Sequence, residues 1–286
     1  MDPISIATGA GKLMLSKAAS SVSEKFVDEA WGKATTWISK KFHEHGSKVE
    51  ENANKNAKSF LEKTGKDIKI IVENSKGNPV NVQIIENSFN NPDFSADFQE
   101  AVYASARTNS EQKHDLLARI IAEKVLSTDD KVTSLTASMA IRAVNELAPR
   151  HLYYLGLCAL IYEIRPTNLP ADLSEDQRNV IFNNWWSKEL DILLSKVEKL
   201  QDIDFRHLVS VNCIQYENFI GRSLMETLKS GLDNWDSQTF IDKYPNGQKM
   251  KDIFDGLQKV TLTSLGSTVG VYVHDNLTGI TTRISW

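Results

Sequence analysis

Cysteine is scarce in this chain of 286 residues: Cys158 and Cys213 are the only two. Each sits in an apolar helical pattern with no metal-ligand spacing around it, which excludes a disulfide framework and a cysteine-based zinc site. With no signal peptide ahead of them, the pair points to a reducing, cytoplasmic compartment. Long hydrophobic runs are missing too. The longest, Leu152 to Tyr162, has eleven residues, against the ~20 that a membrane-spanning helix needs. Nor is there a large excess of either charge, with 33 basic and 37 acidic side chains. What imbalance exists is local, because residues 1–70 carry 12 Lys and 9 acids while the remainder holds 21 basic and 28 acidic side chains. Nonspecific affinity for nucleic acid comes mostly from cationic side chains, so a phosphate-binding role for that remainder is disfavoured. Internal repeats and low-complexity tracts are absent, and 41% apolar with 24% charged residues is ordinary globular composition, which excludes disordered and collagen-like classes. The length suits one to two domains.

Proline is absent from residues 10–63, and what fills that stretch is a helical pattern. Leu15, Val22, Phe26 and Trp37 fall on one side, and Val27, Trp31, Ile38 and Phe42 on the neighbouring one, giving a broad apolar face. From Gly46 to Lys63 the pattern continues with few large apolar side chains, as in a solvated helix or mobile arm. The period then changes. Asp67-Ile-Lys-Ile-Ile-Val-Glu73 and Pro79-Val-Asn-Val-Gln-Ile-Ile-Glu86 are β-branched runs separated by a turn-like Asn74-Ser-Lys-Gly-Asn78, which predicts a β-hairpin. Asn87-Ser-Phe-Asn-Asn-Pro92 has the composition of a linker.

Beyond Asp93 the reading is helical almost throughout. Ser110 can cap a helix carrying Leu117, Ile121 and Val125; the next carries Val132, Leu135, Met139 and Val144 and must stop near Pro149. Leu152 to Tyr162 is apolar nearly all round and should be central to the core. Ser174-Glu-Asp-Gln177 has capping-box spacing ahead of a stripe of Phe182, Trp186, Leu190, Leu193 and Val197. Asp204 can start a helix running through Leu228 to Gly231. The last stretch reads as a short helix at 249–257, a strand from Val260, and a helix capped by Thr263 or Ser264 and ended by Gly279. That layout resembles a small winged-helix unit.

Motifs of chemistry are few. Gly9-Ala-Gly-Lys12 lacks the P-loop frame, since Ile6 and Leu13 stand where glycine and Ser/Thr are required. His43 and His45 are two apart and cannot share a helix face, and His151 with Cys158 finds no third or fourth ligand nearby. Ser264 near Gly266 lacks the upstream glycine of a nucleophile elbow. Glu163, Asp172, Glu175 and Asp176 are ordinary acids at helix ends and starts. No catalytic residue, cofactor or metal is therefore expected.

The runs Lys113-His-Asp-Leu-Leu-Ala-Arg-Ile-Ile-Ala-Glu-Lys-Val125, Leu147-Ala-Pro-Arg-His-Leu152 and Leu262-Thr-Ser-Leu-Gly266 resemble, in their order of elements over about residues 93–280, the bacterial abortive-infection alpha-type proteins and related uncharacterised helical families. Those families carry a Leu-Trp-Ala-Asn-Leu-like core where this chain reads Leu117-Ala-Arg-Ile-Ile121. The resemblance implies a bacterial cytoplasmic protein of phage defence, and carries over no catalytic residues.

The expected fold is mainly α: a helical-bundle body, a small β-hairpin, an amphipathic N-terminal helical arm and the winged-helix-like C-terminal unit. The expected division is an arm at 1–66, hairpin and linker at 67–92, body at 93–232 and a small α/β unit at 233–286. The expected function is a non-enzymatic interaction or regulatory protein whose N-terminal helix mediates self-assembly or docking to a protein partner. Its face would be Val22, Phe26, Val27, Trp31, Trp37, Ile38 and Phe42, where Trp31, Trp37 and Phe42 are interspersed with lysines as in an interfacial helix. The alternatives are a membrane-acting effector inserting that helix, peripheral at the inner membrane, and a nucleic-acid binder using the C-terminal unit, whose five basic and six acidic side chains over 231–286 weigh against it.

Overall fold

A computed structural model describes residues 3–74, 83–126, 131–166, 173–217, 221–230, 232, 235–279 and 282, with side chains from Ser16 onward and, after Leu126, from Ser134. The fold is mainly α, with one two-stranded antiparallel ladder among the described residues. The chain divides into two units, Met1–Asn145 and Glu146–Trp286, so the linker expected at 87–92 falls inside the first.

The first unit is built on an antiparallel pair, α1 (Pro3–Phe42) and α2 (Ser47–Asn74), joined by a 3-10 turn at His43–His45 and by Gly46. Gly46 has φ +98, a left-handed conformation that costs glycine little. Small residues bring the two helices together: Ala19, Ala30, Ala34, Ala53 and Ala57 are buried, and a Cβ on Gly65 would lie 2.7 Å from Val27 Cγ2. The stretch expected to be a solvated arm is thus core, its buried stripe made by Ala53 and Ala57 together with Phe60 and Leu61. α3 (Gln83–Asn90), α4 (Pro92–Ala106), α5 (Glu111–Leu126) and α6 (Lys131–Glu146) follow. Asn91 opens α4, its Oδ1 accepting from Asp93 N (2.9 Å) and Phe94 N (3.3 Å) with Pro92 at the first helical position. Ser110 opens α5 by accepting from Lys113 N (3.4 Å). The core centres on Phe98, whose ring lies within 6.4 Å of those of Phe26, Trp37, Phe60, Phe89 and Phe94.

The hairpin expected at 67–86 is not formed where the chain is described: 67–74 continue α2 and 83–86 begin α3, while the turn and the rest of the second run lie outside the described residues. A strand would have put Ile68, Ile70 and Val72 on one face. Instead Ile68 and Val72 are buried and Ile70 is 46% exposed, the spacing of a helix that continues the buried row Ala57, Leu61, Thr64. Packing against α1 and α5 overrides β-branched propensity here.

In the second unit α7 (Pro149–Tyr162) and α13 (Ser264–Thr278) pack antiparallel at the centre, with α8 (Glu175–Leu194) against both. Gly156 and Gly270 let α7 and α13 touch: a Cβ on Gly270 would lie 2.4 Å from the Leu155 carbonyl oxygen. α8 starts with the predicted capping box, Gln177 N donating to Ser174 Oγ (3.3 Å) and Ser174 N to Gln177 Oε1 (2.9 Å). α13 starts at Thr263, whose Oγ1 accepts from Gly266 N (3.0 Å), and ends at left-handed Gly279.

The helix expected from Asp204 to Gly231 is broken. α9 (Asp202–Ser210) is followed by a turn through Asn212, φ +58, and by β1 (Ile214–Tyr216), then α10 (Leu224–Lys229), α11 (Ser237–Lys243) and α12 (Gly247–Leu257). β1 pairs antiparallel with β2 (Val260–Leu262), Gln215 opposite Thr261. Pairing of this kind carries a long loop-closure cost and leaves no local signal. Since α13 lies on α7, the tail expected to be a separate winged-helix-like appendage is part of this unit's core. Among the described residues no helix is long and apolar enough to cross a membrane.

Candidate functional site

The face read from the sequence divides in two. Val22, Phe26 and Ile38 are fully buried: they are spent on the core of the first unit, and none is free for a partner or for lipid. Phe26, for example, stacks on Phe89 at 5.7 Å. Val27, Trp31, Trp37 and Phe42 are half-buried, with Trp37 leaning on Phe98 at 5.8 Å. An amphipathic stripe at helical spacing does not say whether its complement lies in the same chain, and here most of it does. His43 and His45 are exposed.

The titratable side chains that come together do so across the sequence, and their geometry decides what each can do. Between α2 and α5, Lys63 binds Glu111 (2.6 Å) and Asp115, and one turn further along α2 Asp67 faces Arg119, Asp115 and Glu123. Burial, only partly offset by Arg119, pushes the Asp67 carboxyl up to about 6. Between α4, α5 and α6, Lys124 binds Asp97 and donates to Ser138 Oγ (2.7 Å), which itself donates to Asp97 Oδ2 (2.5 Å). A Ser–Lys pair of this composition needs a neutral amine to act as base. Here the amine is taken up by the Asp97 carboxylate and by Ser138, and the cluster is an anchor for α6.

In the second unit His151 Nε2 meets Asp204 Oδ1 at 2.8 Å, the arrangement of a base and its orienting acid. The remaining ring nitrogen, Nδ1, accepts from Ala148 N (3.1 Å), which fixes Nε2 as the N–H donor to Asp204. Both imidazole nitrogens are therefore occupied and neither faces a nucleophile. Burial, opposed by Asp204, holds His151 below its ordinary value, in keeping with a neutral ring. Burial also works against the Asp204 charge, yet bonds from His151, Gln201 N and Arg150 pull its carboxyl down to about 2. This group ties the N-terminus of α7 to that of α9.

A second buried histidine, His274, lies between Glu189 Oε2 (2.9 Å) and Asp275 Oδ1 (3.3 Å). Burial opposes its charge, but the two carboxylates hold its titration above the ordinary value. Asp275 in turn accepts from Thr282 N (2.7 Å) and Thr282 Oγ1 (2.6 Å), fastening the chain after Gly279. Cys158 and Cys213 are free and buried. Burial pushes the Cys213 thiol up to about 12 and the Cys158 thiol well above its usual range, so neither is a thiolate nucleophile at neutral pH. Glu163, itself raised by burial, accepts from Ser267 Oγ (2.5 Å). Among the described residues no group of three or more His, Cys, Asp or Glu side chains is placed to hold a metal ion.

Among the described residues of the second unit, a groove of about 370 Å³ lies between α8 and the segment 235–245. Asn179, Asn183 and Ser187 line one side, at successive i, i+4 positions of α8, and Trp235, Phe240 and Tyr244 line the other. In the sequence the apolar stripe of α8 marks its core side and leaves this polar side unmarked. The signal was present in Asn183-Asn184, two residues of low helix propensity in mid-helix.

The fold and its polar clusters thus define a mainly α-helical protein of two units, whose buried ion pairs pin helices to one another. Residues 25–240 match a family of unknown function, and the chain belongs to that family. No curated protein and no solved structure matches it.

Proposed function

We propose that this chain is a non-enzymatic interaction protein of bacterial phage defence that self-associates through the first turns of α1. The observation that supports assembly is the register of the α1–α2 pair. Ser23 Oγ donates to the Gly65 carbonyl (2.8 Å), so Asn74, nine residues beyond Gly65, comes level with about residue 14 of α1. The eleven residues 3–13 continue past the described end of α2, about 16 Å of helix at 1.5 Å per residue. In sequence they hold a single charge, Lys12. A helix of that composition gains by covering its surface with another copy. The place in phage defence rests on the resemblance in the order of elements over 93–280. Low charge in residues 3–13 equally favours the membrane-acting reading, and one experiment separates the two.

Light scattering after size exclusion would compare the full chain with a version lacking residues 1–13, which keeps the α1–α2 pairing. The full chain is expected to run as a dimer or larger and the trimmed one as a folded monomer, with phosphatidylglycerol-containing liposomes changing neither. A monomeric full chain would overturn the assembly reading, and co-sedimentation of that monomer with liposomes, lost on trimming, would put the membrane reading in its place.

A further inference from the structure

The groove on α8 has features that select a ligand class. Asn183 accepts from Trp235 Nε1 through its Oδ1 (2.8 Å), which leaves its two N–H donors unbonded among the described residues. Asn179 and Ser187, one turn to either side, make no side-chain hydrogen bond among the described residues either, and all three are half-buried. The row thus offers neutral donors and acceptors every four residues over about 12 Å of helix, a repeat of about 6 Å. An extended peptide repeats every two residues at about 6.6 Å, with main-chain N–H and C=O groups of alternate residues on the same side. The two repeats are close enough for about four residues of peptide to lie along the row.

Other ligands fit less well. Trp235 is 2% exposed and stacked on Trp186 at 6.0 Å and 9°, and Phe240 and Tyr244 are stacked on each other at 5.4 Å and 16°. Phe240 and Tyr244 are buried as well, each 6% exposed, so none of the three rings offers an open face for a sugar or nucleobase to stack on. Lys243 and Asp236 both line the groove, so its charge is balanced and a phosphate or a strongly charged segment gains little.

We propose that this groove binds an extended, uncharged peptide segment of a partner protein, held by its main chain along Asn179, Asn183 and Ser187. The site belongs to the second unit and α1 to the first, and the proposal does not depend on the assembly reading. To test it, a displayed library of random seven-residue linear peptides is selected against the full chain, and the enriched peptides are synthesised and titrated by fluorescence polarisation. Binding is expected to weaken at least tenfold in Asn179→Ala/Ser187→Ala, a double change that raises helix propensity and so leaves α8 intact. It should persist in Lys188→Ala, outside the groove, and fall at least tenfold when alternate peptide nitrogens are methylated. An empty selection, affinity indifferent to the double substitution, or full binding by the methylated peptide would each overturn the proposal.

Discussion

Gly270→Ala is expected to destabilise the chain by about 3 kcal/mol or more, at the upper end of what overpacking a core costs. The added methyl would sit 2.4 Å from the Leu155 carbonyl oxygen and 2.8 Å from Ala159 Cβ. The first of these is a backbone atom in the middle of α7, so no side chain can rotate out of the way. The helices must separate, and Val269, Val271 and Val273 on α13, all buried, lose packing with them. Gly32→Ala serves as the contrast. A Cβ there meets nothing within 4 Å, and the exchange of glycine for alanine inside α1 is expected to stabilise by up to about 1 kcal/mol. Urea denaturation followed by far-ultraviolet ellipticity measures both. A Gly270→Ala chain within about 0.5 kcal/mol of the parent, well below the usual overpacking cost, would refute the close packing of α7 and α13.

Asp67→Asn is expected to stabilise the chain above pH 6 and to lose that gain in acid. The Asp67 carboxyl titrates at about 6 in the folded chain against 3.8 for the ordinary group. Folding therefore takes up a proton between those values, and the contribution of Asp67 falls as pH rises from about 4 to about 6. At pH 7 the ionised, half-buried carboxylate costs at most about 3 kcal/mol; water reaching the seam between α2 and α5 brings the expected gain on substitution to about 1–3 kcal/mol. At pH 4 the acid is protonated in the folded state and nearly isosteric with the amide, so the two chains should differ little. Denaturation of both at pH 4 and pH 7.5 checks this. An equal gain at the two pH values, or a loss at pH 7.5, would show that Asp67 is not buried against α5.

How much of this was legible beforehand depended on whether the determining contacts were local. Ser174 with Gln177, Thr263 with Gly266, and Gly279 lie within one or two turns of the helix ends they define, and each end could be read directly. The core position of α7 also follows from composition alone, since a helix apolar all round has nowhere else to go. At Ile68 and Val72 the local preference was for strand, and contacts with α1 and α5 decided otherwise. The break at Asn212 was hidden because β1 has only three residues and its partner lies over 40 residues further on. Distance hid the polar sites as well. His151 and Asp204 are 53 residues apart, and His274 and Glu189 are 85 apart. Of the face expected to meet a partner, Val22, Phe26 and Ile38 are buried, and Phe26 packs on Phe89 and Phe98, more than 60 residues further along the chain, where no local pattern announces the contact.

The central claim is that α1 belongs to the folded first unit along most of its length and offers only its first turns to another copy. Hydrogen exchange read by mass spectrometry at two protein concentrations tests it most directly. Amides of residues 17–42 should exchange slowly at both concentrations, whereas those of residues 4–13 should exchange fast in dilute solution and become protected on concentration. Exchange in 4–13 that ignores concentration, or exchange in 17–42 as fast as in an isolated peptide, would contradict the account.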